Sequence, residues 1–302
     1  MSLEAFAAPG TFYKGNLHTH STRSDGKLAP AEVCRRYADR GYDFLCLSDH
    51  FLEVYEFPIT DTTAFRTETL TTILGAELHA YTTDFGDLWH ILAVGLPADF
   101  APTASDETGV ALAQRAADAG AFVAIAHPEW YGLSLPDALT IEAAHAVEVY
   151  NHTSQVHSGR GGGAYFLDHM LTAGRRINAI ACDDAHWNVA GDENRDAFGG
   201  WVMVKAEAKA PDALVAALRA GHYYATQGPD ILGLTRDGDE LAIETSACEQ
   251  IILAGPHSLS VYAAGSGITQ ARLPLERFAG KWGRLMVLDA QGRTAWSNPM
   301  WF

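Results

Sequence analysis

The sequence lacks any long apolar run. No stretch of about 18 residues is free of polar side chains, so no membrane-spanning helix is expected. Basic residues are scarce, 21 against 37 acidic ones, and the formal charge is −16. That balance argues against sequence-independent binding to nucleic acid or to an anionic membrane, except where bound cations reverse the field of clustered carboxylates locally. Cysteine pairs are missing too. Cys34, Cys46, Cys182 and Cys248 lie far apart with no C-x-x-C spacing, and in apolar surroundings they read as reduced core residues of a cytoplasmic protein. The opening MSLEAFAAPG carries neither a basic nor an apolar segment, so no secretory signal is expected. Low-complexity tracts and internal repeats are absent, which excludes solenoid architectures. What remains is a chain of 302 residues, 48% hydrophobic and 10% aromatic, with enough apolar content for a sizeable core.

Histidine is the residue present in excess, 13 in all, and the histidines are unevenly placed. From residue 11 to about 228, strand-like runs alternate with amphipathic helical stretches. TFYKGNLHTH, DFLCLSDH, TILGAELHAY, LWHILAVGL, AFVAIAHP, AVEVYNH, INAIACDDAH and GGWVMVKAE read as strands. PAEVCRRYADRGY, TGVALAQRAADAG, SLPDALTIEAA, AYFLDHMLTAGRR and PDALVAALRAG read as helices, the first with Pro30 near its start and Gly41 at its end. This alternation predicts parallel strands with right-handed crossovers, and six or more repetitions suit a closed β/α barrel better than an open sheet. After residue 228 the texture changes to short alternating runs, ELAIETSA, QIILAG, LSVYAAG and RLMVLDA, separated by Gly, Asp and Pro. Residues 229–302 therefore read as a small antiparallel β-module appended to the unit at 11–228.

In β/α architectures reactive groups collect at the C-terminal ends of strands. His18 and His20 end the first strand here, Asp49 and His50 the second, Glu77 and His79 the third; His127 ends AFVAIAH, and Asp184 with His186 ends INAIACDDAH. Residues two apart on a strand face the same way, so His18/His20 and Asp184/His186 each offer two ligands to one side. His90 opens its strand, but the Gly-bearing turn before it predicts a hairpin that returns from the same rim. Singly, each residue has an ordinary explanation as a surface hydrogen-bonding group or a helix cap. Together, imidazoles and carboxylates at so many strand ends point to a multinuclear metal site, because unpaired buried carboxylates are costly. Asp49 is expected to face away from it. His79 and Glu129 either support the ligands from behind or serve the fold. His145, His152, His157, His169, His222 and His257 default to surface, core or substrate contact.

HTHSTRSDG, LSDH, GAE, HILAVG, AHP and CDDAH, in that order, resemble the motif series of the PHP (polymerase and histidinol phosphatase) family of metallohydrolases, over residues 12 to about 228 including EVYNH and YYATQGP. The ending AWSNPMWF further resembles a carbaryl-hydrolase-like subset in which a β-module follows the barrel. The resemblance implies a distorted (β/α)7 barrel, amidohydrolase-like and similar to a TIM barrel, that holds two or three Mn, Fe or Zn ions. It implies that His18, His20, Glu77 and Asp184 hold one ion, that Glu77 is shared with a second ion completed by His90 and His127, and that Asp25, His50 and His186 surround a third. Imidazole and carboxylate accept all three metals, so the ligand types do not choose among them.

Two cations sharing a carboxylate and a water lower the pKa of that water toward neutrality, which suits hydrolysis. The resemblance implies phosphoester hydrolysis as the family's usual activity, so the expectation is a phosphoesterase acting on a small phosphate ester, with Asp184 and His186 catalytic. His186 is the proton donor if the third site is empty, with His152 or His157 as alternatives. Arg23, Arg160 and Arg195 lie in loops expected near the mouth and are the candidates to grip phosphate oxygens, as is His152; solvated surface charge is the plainer reading of each arginine. The GRGGG run at 159–163 either wraps a phosphate with backbone N–H groups or is a loose connection. The competing readings are a carbamate, amide or carboxylic ester hydrolase with the same metals, and a non-catalytic metal-stabilised binding protein. A small-molecule ester is the expected partner, with no nucleic acid and no membrane.

Overall fold

A computed structural model of the chain describes residues 2–302. Ten strands precede residue 229: β1 (Thr11–Asn16), β2 (Phe44–Leu47), β3 (His50–Phe51), β4 (Thr71–Ala80), β5 (Trp89–Val94), β6 (Phe122–Ile125), β7 (Ala146–Asn151), β8 (Asn178–Cys182), β9 (Trp201–Ala206) and β10 (Tyr223–Thr226). Six follow: β11 (Ile231–Asp237), β12 (Glu240–Ala254), β13 (Ser260–Pro274), β14 (Trp282–Leu288), β15 (Thr294–Ser297) and β16 (Met300–Trp301). The helices are α1 (Ser2–Ala7), α2 (Pro30–Asp39), α3 (Gly109–Asp118), α4 (Leu135–Thr140), α5 (His152–Ser158), α6 (Ala164–Thr172) and α7 (Pro211–Ala220). Among the described residues, no helix is long and apolar enough to cross a membrane.

Local chemistry accounts for the helix boundaries. Pro30 and Pro211 open α2 and α7 at positions where a backbone N–H has no helical partner, and Gly221 closes α7 at φ 75°, a left-handed conformation that costs glycine little. Thr108 and Ser134 cap α3 and α4 by accepting from the N–H of Ala111 and Asp137.

The strands form one mixed sheet. β1–β2, β2–β4, β6–β7 and β7–β8 pair in parallel, as the strand–helix alternation predicts. β4–β5 is the expected antiparallel hairpin, whereas β5–β6, β1–β9 and β9–β10 are also antiparallel and correct the expectation of parallel strands there. β4 returns as β5 through a short turn rather than a helix, which places His79 directly opposite His90. The ladder does not run round to a closed ring, because β8 ends the strand order. Past the ends of β1 and β8, however, His20 N–H donates to Ala185 C=O (2.9 Å) and Asp184 N–H to His18 C=O (2.8 Å), with an isolated parallel bridge at Thr19–Ala185. Leu17, Phe44, Ile73, Leu92, Phe122, Ala146, Ile180 and Val202 share one buried core beneath these strand ends.

The later strands differ from the short runs expected there. ELAIETSA and QIILAG are parts of a single 15-residue strand, β12, with register irregularities between Glu244 and Gln250, and β13 is equally long. The sheet continues from β10 into β15, so this region is hydrogen-bonded to the preceding one. Two buried contacts reinforce the junction. Arg284 on β14 donates twice to Asp168 on α6 (2.6 and 2.8 Å). Asn298 accepts from Ala179 N–H (3.0 Å) and donates to the carbonyls of Gly221 (3.1 Å) and Tyr223 (3.0 Å). Replacing Asn298 with Ala strands buried backbone groups, so urea unfolding is expected to show a loss of about 3 kcal/mol. A loss below about 0.5 kcal/mol, the scale of an ordinary surface change, would contradict this role.

Candidate metal centre

The site begins with two residues of β1's continuation. His18-Thr19-His20 is gripped on one side by the continuation of β8 and on the other by Ser48, whose N–H donates to Thr19 C=O (2.9 Å) and whose Oγ accepts from Thr19 N–H (3.0 Å). Alternation then sends both imidazoles to the same side. Glu77, at the end of β4, meets them: its Oε2 lies 3.5 Å from the Nε2 of His18 and 3.5 Å from that of His20. Asp184 joins them with Oδ1 at 3.2 Å from His18 Nε2 and 2.9 Å from His20 Nε2. Its backbone is left-handed (φ 59°), a conformation that Asp tolerates better than most residues and that is held here by the hydrogen bond to His18.

Two further groups of ligand atoms share this floor. Glu77 Oε1 is 2.7 Å from His90 Nδ1 and 3.1 Å from His127 Nε2. Asp25 Oδ1 is 3.4 Å from His50 Nε2 and 3.3 Å from His186 Nε2, with His20 in the same group. The structure thus brings together all nine residues expected as ligands, and adds His79. The His79 Nδ1–H donates to Trp89 C=O (3.1 Å), which leaves Nε2 aimed at His50 Nδ1 (2.9 Å) and near Glu77 Oε2 (3.7 Å).

These side chains suit divalent cations. An ion held tetrahedrally at about 2.1 Å keeps its donor atoms about 3.4 Å apart, which is the spacing found around His18 and Glu77. The fully buried His18 Nε2 has no hydrogen-bond partner, although buried polar atoms are rarely left so, and Glu77 Oε2 has His50 Nδ1 at 2.7 Å as its one close neighbour.

The electrostatics follow from crowding. Burial pushes the Glu77 carboxyl up, but the imidazoles of His50, His90, His18 and His79 more than reverse this and hold it well below the usual carboxylate range. Burial lowers His50, yet Glu77 and Asp25 carry it up to about 10. His20 goes the other way, to about 4, through burial and its neighbours His186 and His50. Burial opposes charge on His18, and Asp184, Glu148 and Glu77 still raise it well above the ordinary imidazole value.

Glu148 is the functional residue that the strand-end argument passed over. It is buried in the middle of β7, accepts or shares a proton with His18 Nδ1 (Oε1, 2.8 Å), and accepts from His127 N–H (Oε2, 2.7 Å) and Asn151 Nδ2 (2.9 Å). The same Asn151 amide reaches Asp184 Oδ2 (3.1 Å). A carboxylate behind a ligating histidine fixes its tautomer and raises its basicity. The signal was a lone acid in the otherwise apolar run AVEVY. Asp49 faces away from His50 and accepts from Ser21 N–H (2.7 Å), Ser21 Oγ (2.9 Å), Ser24 Oγ (2.9 Å) and Thr60 Oγ1 (2.8 Å). It thereby pins the loop that carries Asp25. A Cβ on Gly26 would come within 2.7 Å of the His20 backbone, so the SDG turn requires its glycine.

Above the ligands lies a cavity of about 370 Å3, lined by Asp25, Asp184 and five of the histidines together with Leu52, Tyr55, Leu88, Trp130, Thr153, Ser154, His157 and Asn188. Arg23, Arg160, Arg195 and His152 do not line it. The three arginines are exposed, and Arg195 donates to Ala190 C=O. His152 is bonded to Tyr150 Oη (2.8 Å). Glu129 accepts from Gly162 N–H (2.8 Å) and so serves the fold. In the GRGGG run the N–H groups of Gly159, Gly162 and Gly163 are already bonded within the protein, to Gln155 C=O, Glu129 Oε2 and Val149 C=O, which leaves it no cradle for phosphate.

No protein-family model matches the sequence, and no curated protein matches it. Solved structures do. A two-domain protein from Bacteroides vulgatus, described as containing a predicted PHP-like metal-dependent phosphoesterase, aligns over 96% of both chains at 15% identity with a TM-score of 0.56. An amidohydrolase from Chromobacterium violaceum, with bound sulfate and no metal, aligns over 57% of this chain and 87% of its own at 17% identity and a TM-score of 0.44. A protein from Bifidobacterium adolescentis assigned as a metal-dependent phosphoesterase covers the same shares at 15% identity and a TM-score of 0.42. The chain shares its fold, along almost its whole length, with the PHP-like protein from Bacteroides vulgatus.

Replacing Glu148 with Gln keeps the shape and removes the charge behind His18. Metal affinity is expected to fall by about 10- to 100-fold, measured by calorimetric titration. Because cations must displace protons from His18, His50, His127 and His186, all raised above the ordinary imidazole value, binding should release protons and weaken as pH falls. A binding enthalpy that does not depend on the buffer's ionisation enthalpy would contradict the proton release.

Proposed function

We propose that this protein is a metal-dependent hydrolase of small esters, with a phosphate ester as substrate. The observation that carries the reading is the packing of three groups of ligand atoms, two of them sharing the carboxylate of Glu77, at the floor of an open cavity. Structural metal sites tend to be closed and sulfur-rich, and this one is neither. Its likeness in fold to a PHP-like protein supports the reading, and so do the motifs from HTHSTRSDG to CDDAH. The same likeness supports a distorted seven-stranded barrel for residues 11–228, stitched between β1 and β8 only at the mouth, with 229–302 as its β-module.

His18, His20, Glu77 and Asp184 would hold one ion, Glu77, His90 and His127 a second, and Asp25, His50 and His186 a third. When bound, such divalent cations lower the pKa of water toward neutrality and offset the charge of a phosphoryl group. The chain's own side chains do the rest. Glu148 and the Trp89 carbonyl set the tautomers of His18 and His79, so the ring nitrogens that face the cavity are fixed before substrate arrives. His186 has Nδ1 against the Asp184 carbonyl (2.7 Å), which reserves Nε2 for the cavity. That nitrogen would be a ligand with a third ion bound, and without one it would be placed to give a proton to the leaving oxygen. In the overall change, water adds to phosphorus, the P–O bond to the leaving group breaks, and the leaving oxygen takes up a proton.

A second reading, hydrolysis of a carbamate, amide or carboxylic ester, draws on one observation: among the described residues no lysine or arginine lines the cavity. The test is to assay the Mn- or Zn-loaded protein on p-nitrophenyl phosphate, a phosphodiester and a naphthyl carbamate. Turnover of a phosphate ester is expected. Turnover of the carbamate alone would overturn the choice of phosphate, and a fully metallated protein that hydrolyses none of them would favour a binding role.

A further inference from the structure

The cavity over Glu77 has a floor of imidazole and carboxylate. Of its walls, Leu52, Tyr55, Leu88 and Trp130 are apolar or aromatic, and Thr153, Ser154, His157 and Asn188 are polar. Trp130 stands edge-on to His90 and His127, with ring centroids 5.6 and 5.2 Å away, and Tyr55 lies nearly parallel to His50 at 6.3 Å. These rings therefore abut the ligands themselves. A second cavity of about 290 Å3 adjoins the first, sharing Leu52, His79 and Leu88 and continuing over Phe51 and Phe57. Among the described residues no lysine or arginine lines either space, and Glu53 lines the second.

The surrounding loops carry the same character. Val54, Tyr81, Phe85 and Trp130 are 78, 66, 75 and 41% exposed, and they sit on the segment after β3, the β4–β5 turn and the segment after β6, which also supply the cavity walls. Isolated exposed apolar residues need no explanation, but several of them around one polar floor mark a ligand-binding surface. A substrate with a second anionic group would find no lysine or arginine beyond the floor, only the imidazole of His157, would face Asp25 and Glu53, and would approach a chain of net charge −16.

We infer that the substrate is an ester whose only charged group is the one that reacts, and whose leaving group is aromatic or bulky and apolar. The reacting group sits over Glu77, the leaving group rests against Tyr55, Leu52, Leu88 and Trp130, and larger leaving groups reach past the two leucines into the second space. This inference rests on the hydrolase reading above. For a phosphate monoester, hydrolysis transfers a hydroxyl to phosphorus and a proton to the leaving oxygen, and releases phosphate and an arenol or an apolar alcohol.

The experiment compares phenyl, naphthyl and para-carboxyphenyl phosphates on the metal-loaded full chain. Phenol and naphthol are of similar acidity, so the second ring chiefly adds apolar area, while the carboxylate adds charge to a better leaving group. The KM for naphthyl phosphate should be about tenfold below that for phenyl phosphate, and that for the carboxyphenyl ester about tenfold above it. Trp130→Ala and Leu88→Ala should each bring the naphthyl and phenyl values together. Equal KM values for all three esters in the unaltered protein would overturn the inference. Calorimetric binding of naphthol and phenol gives a readout independent of turnover. A protein that hydrolyses no phosphate yet binds naphthol about tenfold more tightly, with the preference lost in Trp130→Ala, contradicts the phosphoester reading and supports the apolar seat. No preference for naphthol overturns the seat itself.

Discussion

A carboxylate without solvent contact, Glu77, has six imidazoles within 4 Å, those of His18, His20, His50, His79, His90 and His127. An ionised carboxyl can persist at such a depth only when positive charge surrounds it. Protons on some of those imidazoles supply that charge in part, and divalent cations held by these side chains would supply it more fully. The rest of the fold can be read as the means of bringing those rings to that one group. They come from the chain just past β1 and β6, from β3, from the last residues of β4 and from the start of β5.

Behind the ligands stands a set of buried polar residues that never face the cavity. Glu148 orients His18 and holds the backbone of His127; Asp49 fixes the loop that carries Asp25. Asp183, next to Asp184 but turned away from it, accepts from Tyr37 Oη (2.7 Å) and from the N–H groups of Phe198, Gly199 and Gly200, and so anchors the chain between β8 and β9. Each of these carboxylates accepts several bonds, which is the condition for tolerating a buried charge. Preorganisation is the functional consequence. The ring orientations of His18, His79 and His186 are set by the protein before any ion or substrate arrives.

Much of this floor was legible in the sequence because alternation along strands is a geometric rule. His18 and His20 share a side for the same reason that Thr19 does not, whereas Asp184 and His186 reach the floor past the end of β8, through a left-handed backbone at Asp184. The hairpin that sets His79 opposite His90 was legible from its turn. Glu148 was not, because it lies within the apolar strand β7 rather than at its end, where no local pattern marks a lone acid as a support. The loop arginines were misleading for another reason: position in the chain places Arg23, Arg160 and Arg195 near the rim, but only the packing of loops decides which side chains turn inward, and apolar ones do. The antiparallel pairings of β9 and β10, and the fusion of two short runs into the single long β12, depend on contacts distant in sequence that local patterns do not encode.

The most direct test of the shared-carboxylate account is the metal content of the purified full chain after reconstitution with Mn or Zn, compared with that of Glu77→Ala treated in the same way. The account predicts about two ions or more per chain in the unaltered protein, and loss of nearly all of them in the variant, since two of the sites lose a ligand and the histidines lose their common partner. An unaltered protein that retains less than about one ion, or a folded Glu77→Ala chain that retains the full complement, would contradict it.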